Sequence, residues 1–174
     1  MLPKLGEHPV TSLTIKHNTL AILLPEVENE LRTFLLRGWW FNEYPYTATP
    51  DSEGFIALGE NTLAFVPTLV EASVRGSQLF NPSTLNYVWT APVVGRLTEY
   101  VPFDSLPESV AQHVWYSALV NAYVTDLGLT SDVQIWQTKS GGAYTQVLAE
   151  HLRNRKYSTA KSYRFRHLRS AMSA

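Results

Sequence analysis

Five histidines, His8, His17, His113, His151 and His167, are the side chains of this 174-residue sequence best suited to acid–base or metal chemistry. Their spacing serves neither. No pair reads H-x-x-x-H or H-x-x-E, so no two share a helix face as zinc ligands do. His113 falls within a helix whose other face is apolar, and reads as a packing or surface residue. The chain has no cysteine, which excludes disulfides, thiol chemistry and cysteine–zinc sites. Ser158 to Lys161 fits S-x-x-K, which sets a serine one helical turn from a lysine base in some acyl-transfer enzymes. The S-D-N and K-T-G partners are missing, so the match reads as chance. There is no G-x-S-x-G elbow, P-loop or G-x-G-x-x-G loop. Gly141-Gly142 lacks the lysine and the strand that a phosphate loop needs. Glu26 and Glu30 lie one turn apart on a helix surface and read as solvating it. Five tryptophans and nine tyrosines could line a carbohydrate cleft. With no carboxylate pair in a glycosidase-like setting, they read as fillers of core and interfaces. The expectation is a protein that is not an enzyme, with no catalytic residue, metal or cofactor.

The chemistry that remains is electrostatic. The formal net charge is −1, yet the charges are segregated. Residues 1–150 carry 7 Lys+Arg and 15 Asp+Glu, or −8. Residues 151–174 carry Arg153, Arg155, Lys156, Lys161, Arg164, Arg166 and Arg169 and no acid, or +7. A basic tail on an acidic body points to an anionic partner, either nucleic acid or an acidic protein surface. A solvated arm without a fixed partner is the simpler alternative. Against it, Tyr157, Tyr163, Phe165 and Leu168 interleave the charges, and rings in a purely solvating arm gain nothing.

The elements that must carry this tail are legible as two patterns. The 21 aromatics are too many for a disordered chain. No apolar run approaches the roughly 18 residues that cross a bilayer, and MLPKLGEHPV lacks the apolar stretch of a secretory signal. Over residues 18–38, Leu20, Leu23, Leu24, Val27, Leu31, Phe34 and Leu35 recur at spacings of three and four, predicting a helix. Asn18 can cap it and Gly38 can end it. Pro25 either kinks this helix or marks the first turn of a shorter one. From Trp39 to Pro102 the pattern changes to short alternating runs between turn signals. Strands are expected at Tyr44–Ala48, Phe55–Leu58, Thr62–Val66, Tyr87–Thr90 and Val93–Val101. A hairpin is expected over Glu71–Phe80, turning at Gly76-Ser77.

A second helix starts near Asp104 or Ser105, with Pro107 in its first turn. Val110, Val114, Trp115, Ala118, Leu119, Ala122 and Tyr123 form its apolar face, and Gly128 ends it. A third, capped by Thr130 or Ser131, runs through Ile135, Trp136, Tyr144, Val147, Leu148 and Leu152. Gly141-Gly142 interrupts it, because two glycines cost about 2 kcal/mol of helix propensity. The class is α+β: a helical bundle over 1–40 and 103–156, an inserted antiparallel β-rich unit over 41–102, and a basic C-terminal arm over 153–174.

Several stretches in this order resemble the tail tubular protein A family of short-tailed bacteriophages. They are Leu5 to Leu13, Arg37-Gly38-Trp39-Trp40-Phe41-Asn42, Thr49 to Leu58, Asn61-Thr62-Leu63, Gly76 to Asn81, and Tyr100 to Glu108. The family reads "RGW-FN" at the end of a helix and "F-DLPE" at the entry to another. Phe80-Asn81 stands where the family's hairpin reads "YD". The likeness spans nearly the whole chain. It implies a head-to-tail adaptor located in the virion at the head–tail junction and assembled in the host cytoplasm. Such a protein forms a homo-oligomeric ring, a dodecamer, between the portal protein and the tail nozzle (tubular protein B-like). It lines the DNA channel, touches genomic DNA transiently, and needs no cofactor and no membrane.

On that basis residues 153–174 are expected to dock onto the portal. Tyr163, Phe165 and Leu168 would be buried anchors and Arg164, Arg166 and Arg169 would meet acidic groups, with Arg153, Arg155 and Tyr157 also among the portal-binding residues. The acidic 1–150 body is expected to line a channel where phosphates must not be held tightly. The alternative is a nucleic-acid-binding module using the arm. The acidic body argues against it, since a dedicated binder carries a basic face on its folded part.

Overall fold

The computed structural model describes residues 18–127 and 131–155. The elements run α1 (Asn18–Leu35), β1 (Glu43–Ala48), β2 (Thr62–Pro67), β3 (Ser73–Arg75), β4 (Gln78–Phe80), β5 (Val93–Glu99), a single 3-10 turn (Phe103–Ser105), α2 (Glu108–Leu127) and α3 (Ser131–Asn154). The fold is α+β, as the change of sequence pattern at Trp39 predicts.

α1 buries Leu20, Leu23, Leu31, Phe34 and Leu35, but Leu24 is turned outward. Pro25 lies inside the helix and does not start it. The helix ends at Leu35, earlier than Gly38, through tightening bonds from the Arg37 and Gly38 amides to the Phe34 and Leu35 carbonyls. Gly38 then takes a left-handed φ of 72°, a conformation that costs other residues about 1 kcal/mol or more.

β5 is the centre of an antiparallel sheet ordered β1-β5-β2, and β3 and β4 form a separate hairpin. Pro45 and Pro67 sit in β1 and β2. Both are edge strands of this sheet, where a missing amide donor breaks no interior ladder. Ala48, Ile56, Leu58, Phe65, Leu79, Trp89, Val93 and Leu97 form the core of this part. Two expected strands are not formed. Residues 55–58 and 87–90 make only isolated bridges, Phe55 to Val88 and Ala57 to Gln78. Their apolar side chains serve as plugs instead. Ile56 is 1% exposed, and the Trp89 indole N–H donates to the Leu79 carbonyl at 2.9 Å. A turn forms at Asp51, its carboxylate accepting from the Glu53 and Phe55 amides.

α2 begins at Glu108, and the Ala111 amide bonds to the Pro107 carbonyl. Pro107 is therefore the residue before the first turn, not a member of it, and the short 3-10 turn occupies the expected helix start. α1 and α3 both pack on α2. Leu20, Leu23, Leu119, Ala122, Val133 and Trp136 join all three helices. A further cluster of Leu31, Phe34, Trp39, Val110, Val114 and Val147 takes in Leu63, Tyr100 and Val101 from the β-rich stretch.

α3 is continuous through Gly141 and Gly142, contrary to the interruption expected from propensity. Ser140, Ala143 and Val147 are buried around the pair, and packing of that face outweighs intrinsic preference. Of the apolar residues the helix runs through, Trp136 and Val147 are buried and Tyr144 half-buried. Ile135, Leu148 and Leu152 are exposed by 53%, 39% and 55%. A Cβ added at Gly141 or Gly142 would meet nothing within 4 Å. The double change Gly141→Ala with Gly142→Ala should therefore raise stability by about 1–2 kcal/mol, read as a higher urea midpoint. A lowered midpoint would mean the helix is broken there.

Candidate functional site

Arg155, in the basic C-terminal stretch, packs against the turn that follows α1. The chain after Gly38 makes a tight turn, Trp39 to Asn42, before β1 starts at Glu43. Asn42 is 1% exposed. Its Oδ1 accepts from the Trp39 amide at 2.8 Å, and its Nδ2 donates to the Leu35 carbonyl at 3.0 Å and the Glu99 carbonyl at 2.9 Å. One side-chain amide thus ties the end of α1 to the end of β5. Trp39 stacks on Phe34 with centroids 4.6 Å apart, and donates its indole N–H to the Phe34 carbonyl at 2.7 Å. The edges of Tyr144 and His151, from α3, complete the aromatic cage around it.

Glu43 stands beside this cage. Its Oε1 accepts from Arg96 Nη2 at 2.6 Å and Nε at 2.9 Å, and it also pairs with Arg155 in a short contact. Arg155 in addition donates to the Trp39 carbonyl at 3.4 Å. The Glu43 and Arg155 side chains are each only 17% exposed, so this pair is screened less than a surface pair. Burial pushes the Glu43 carboxyl up, but the hydrogen bonds and charges of Arg96 and Arg155 outweigh it and hold the pKa below the ordinary 4.5. The sign follows: stability from this group is present above about pH 4.5 and is lost as pH falls through the lowered folded value. Arg155→Gln should flatten that acid-side loss, measured as urea midpoints from pH 6 to pH 3. An unchanged slope would mean the pair carries no net interaction.

His113 and His151 both have pKa values lowered below 6.5, chiefly by burial. For His151 the Arg155 charge adds to this, and Glu43 opposes it. Each stays neutral in the folded chain at pH 7. Their contribution is complete above pH 6.5 and declines as pH falls below it.

A serine–histidine pair does occur. Ser140 Oγ lies 2.9 Å from His113 Nδ1 and 2.8 Å from Ser117 Oγ, beside a cavity of about 220 Å³ also lined by Glu30 and Asn121. The same Nδ1 lies 3.2 Å from the Ser140 carbonyl. Ser140 is in mid-helix, where amides bond the i−4 carbonyls and none is left to form an oxyanion hole. The arrangement fastens α3 to α2. Among the described residues no group of His, Asp and Glu could hold a metal ion, and no helix is long and apolar enough to cross a membrane.

Of the residues expected to bind the portal, Arg153 is exposed on the last turn of α3. Arg155 is held against Glu43 and Trp39 as described. Tyr157, Tyr163, Arg164, Phe165, Arg166, Leu168 and Arg169 lie outside the described residues, as does the Ser158–Lys161 match. Reading along the chain missed Asn42, Glu43 and Arg96. The local hints were the place of Asn42 in the Arg37–Asn42 stretch and a polar pair directly after Trp39-Trp40-Phe41.

Two comparisons bear on identity. The tail tubular protein family matches residues 1–157. The tail tubular protein A of Klebsiella phage KP34 is 28% identical over 172 residues, covering 98% of this chain and 92% of that protein.

Proposed function

This chain belongs to the tail tubular protein family, structural components of the bacteriophage tail, and from that premise we propose that it is the head-to-tail adaptor of its virion. In this reading it forms a ring, a dodecamer, joining the portal to the tail nozzle and lining the DNA channel. It assembles in the host cytoplasm and works without a cofactor. Residues 1–40 and 103–156 act as the helical bundle, 41–102 as the β-rich unit, and 153–174 as the portal-binding arm.

The observation that carries this is the arm and its root. Half of the basic residues lie in the last 24 positions, and the Glu43–Arg155 pair fastens the start of this stretch beside the turn that follows α1. Arg153, exposed two residues before Arg155, begins the docking surface. Tyr157, Tyr163, Phe165 and Leu168 supply apolar area, with Arg164, Arg166 and Arg169 supplying register and on-rate toward acidic portal groups. Arg155 acts in this scheme by fixing the root. The net charge of −8 over residues 1–150 favours a channel wall that DNA slides past, because each neutralised phosphate would add salt-dependent affinity.

Deleting residues 157–174 should leave the melting transition unchanged and abolish attachment to portal particles. Normal attachment of the truncated protein would overturn the proposal. Tight DNA binding by the intact protein at moderate salt, lost in the truncation, would favour the nucleic-acid-binding alternative. A channel wall rich in Lys and Arg would contradict the part given to the body.

A further inference from the structure

The end of α3 lies beside the start of α2, where the Ser109 hydroxyl donates to Glu150 Oε2 at 2.8 Å. On the first turns of α2, Glu108, Ala111, Gln112 and Trp115 recur at spacings of three and four and so share one face. With Phe103 from the preceding 3-10 turn and Tyr116, they line an open cavity of about 400 Å³. The three rings are half-buried. Lys139 of α3 already lies over the Tyr116 ring, 5.7 Å from its centre. Among the described residues no cation lies over Phe103 or Trp115. Glu108 accepts a hydrogen bond from Gln112 Nε2 at 2.8 Å, and among the described residues no Lys or Arg pairs with it. A carboxylate among aromatic rings in an open groove suits a guanidinium, which stacks on a ring and forks onto a carboxylate. The protein holds an occupied example of this combination. Arg32 lies 4.9 Å from the centre of the Tyr100 ring, and its Nε pairs with Glu28 at 2.6 Å.

We infer that this groove seats an arginine of the chain's own C-terminal stretch, from the run Arg164 to Arg169. Charge favours it. Residues 156–174 carry Lys156, Lys161, Arg164, Arg166 and Arg169 and no acid, against the carboxylate of Glu108. Position favours it too. The stretch continues from Arg155, which follows Glu150 by five positions, and Glu150 is bonded to the residue next to Glu108. The nine residues from Arg155 to Arg164 reach up to about 30 Å when extended. The groove, from Glu108 to Tyr116, takes up about 12 Å of helix. The N-terminal stretch joins the bundle at its other end, where Leu20 packs with Ala122 and Trp136. An open groove is a weak site for a free ligand. An arginine on the same chain is presented at an effective concentration on the order of millimolar, and a weak site then suffices. The contact does not depend on the portal reading above. Its consequence does: the groove and the portal take the same arginines, so the groove holds the arm against its own body until the portal displaces it.

The chain's lack of cysteine makes the test direct. The full chain carrying Gln112→Cys with Ser162→Cys is treated, dilute and at low salt, with a short bis-maleimide, and cross-linked peptides are identified by mass. The expected result is a cross-link within one chain, formed about tenfold more readily than from Ser131→Cys with Ser162→Cys. Ser131 is exposed at the start of α3, the end of that helix away from Ser109 and Glu150. Adding Glu108→Gln, or Arg164→Gln with Arg166→Gln and Arg169→Gln, should lower the yield about threefold or more, with the melting transition unchanged. Equal yields from the Gln112 and Ser131 pairs overturn the inference, and so does a yield that neither set of added changes moves. Cross-links found only between two chains place another copy's arm in the groove. A higher yield from Gln112→Cys with Thr11→Cys places the N-terminal stretch there. Either result overturns the inference. These measurements use the free chain, so their failure leaves the portal reading standing, and that reading is tested separately by the deletion of residues 157–174.

Discussion

Asn42→Asp is expected to destabilise the protein by on the order of 3–5 kcal/mol, comparable to leaving an uncompensated buried charge. The Asn42 Nδ2 donates to two carbonyls, Leu35 and Glu99. Aspartate puts an oxygen in that position. Ionised, it faces two carbonyl dipoles with no donor, in a site 1% exposed. Protonated, it supplies one hydrogen where two are needed. Asn42→Ala removes the repulsion but leaves the Trp39 amide without its acceptor and takes a donor from the Glu99 carbonyl and from the Leu35 carbonyl, the latter keeping the Gly38 amide, at about 1–3 kcal/mol for a group left buried and unpaired. The Asp variant should therefore fall further than the Ala variant in urea midpoint at pH 7, and recover part of the difference at low pH as the carboxyl protonates. Equal midpoints for the Asp variant and the parent would mean the Nδ2 bonds are not made. Because Asn42 precedes Glu43 directly, its loss should also loosen the Glu43–Arg155 pair.

Gly95→Val is the second large effect, and its cause is steric. A Cβ at position 95 would lie 2.5 Å from the Val66 carbonyl oxygen and 2.6 Å from Phe65 Cζ. Tyr46 opposes Gly95 on one side of β5 and Pro67 on the other. The central strand cannot shift without breaking both ladders. Overpacking of this kind costs about 1–3 kcal/mol in a side-chain core, and occasionally more. Here one of the clashing atoms is backbone, so Gly95→Ala should reach the upper end and Gly95→Val should exceed it. Phe65→Leu should rescue Gly95→Val only in part, because it frees the ring position and leaves the Val66 carbonyl in place. Full rescue in the double variant would mean that the ring alone makes the site intolerant. The contrast with Gly141, where alanine should stabilise, separates a glycine that the fold requires from one it does not use.

Local sequence carried far in this protein. The three-and-four spacing of Leu20, Leu23, Leu31, Phe34 and Leu35 predicted α1 and most of its buried face. Gly38 and Gly76, both at positive φ, stand where the sequence predicted a helix end and a hairpin turn. The hairpin of β3 and β4 and the central strand β5 follow from alternation and turn chemistry alone. Periodicity failed where two faces of one helix are both apolar. On α3, Ile135, Leu148 and Leu152 are as apolar as Val133, Trp136 and Val147, yet the first three are exposed and the second three buried. Only the position of α2 decides which becomes core. Propensity failed at Gly141-Gly142 for a related reason, since the packing of Ser140, Ala143 and Val147 is a tertiary quantity.

The candidate site divides in the same way. The basic, aromatic character of residues 153–174 and the acidic balance of the rest are properties of composition, and the sequence determined both. It also determined the fold class and, through motifs spread along the whole chain, the family. The root of the arm was not determined locally. Arg155 meets Glu43 across 112 residues, and Asn42 meets Glu99 across 57. Residue types state which groups can pair, since a carboxylate accepts and a guanidinium donates. Which groups do pair depends on packing that brings the ends of α1, α3 and β5 to one place. That packing is set by the burial of Trp39, Phe34 and Val147 together. The tertiary structure alone decided it, because burial rewards the sum of contacts over distant segments, and no short window of sequence contains that sum.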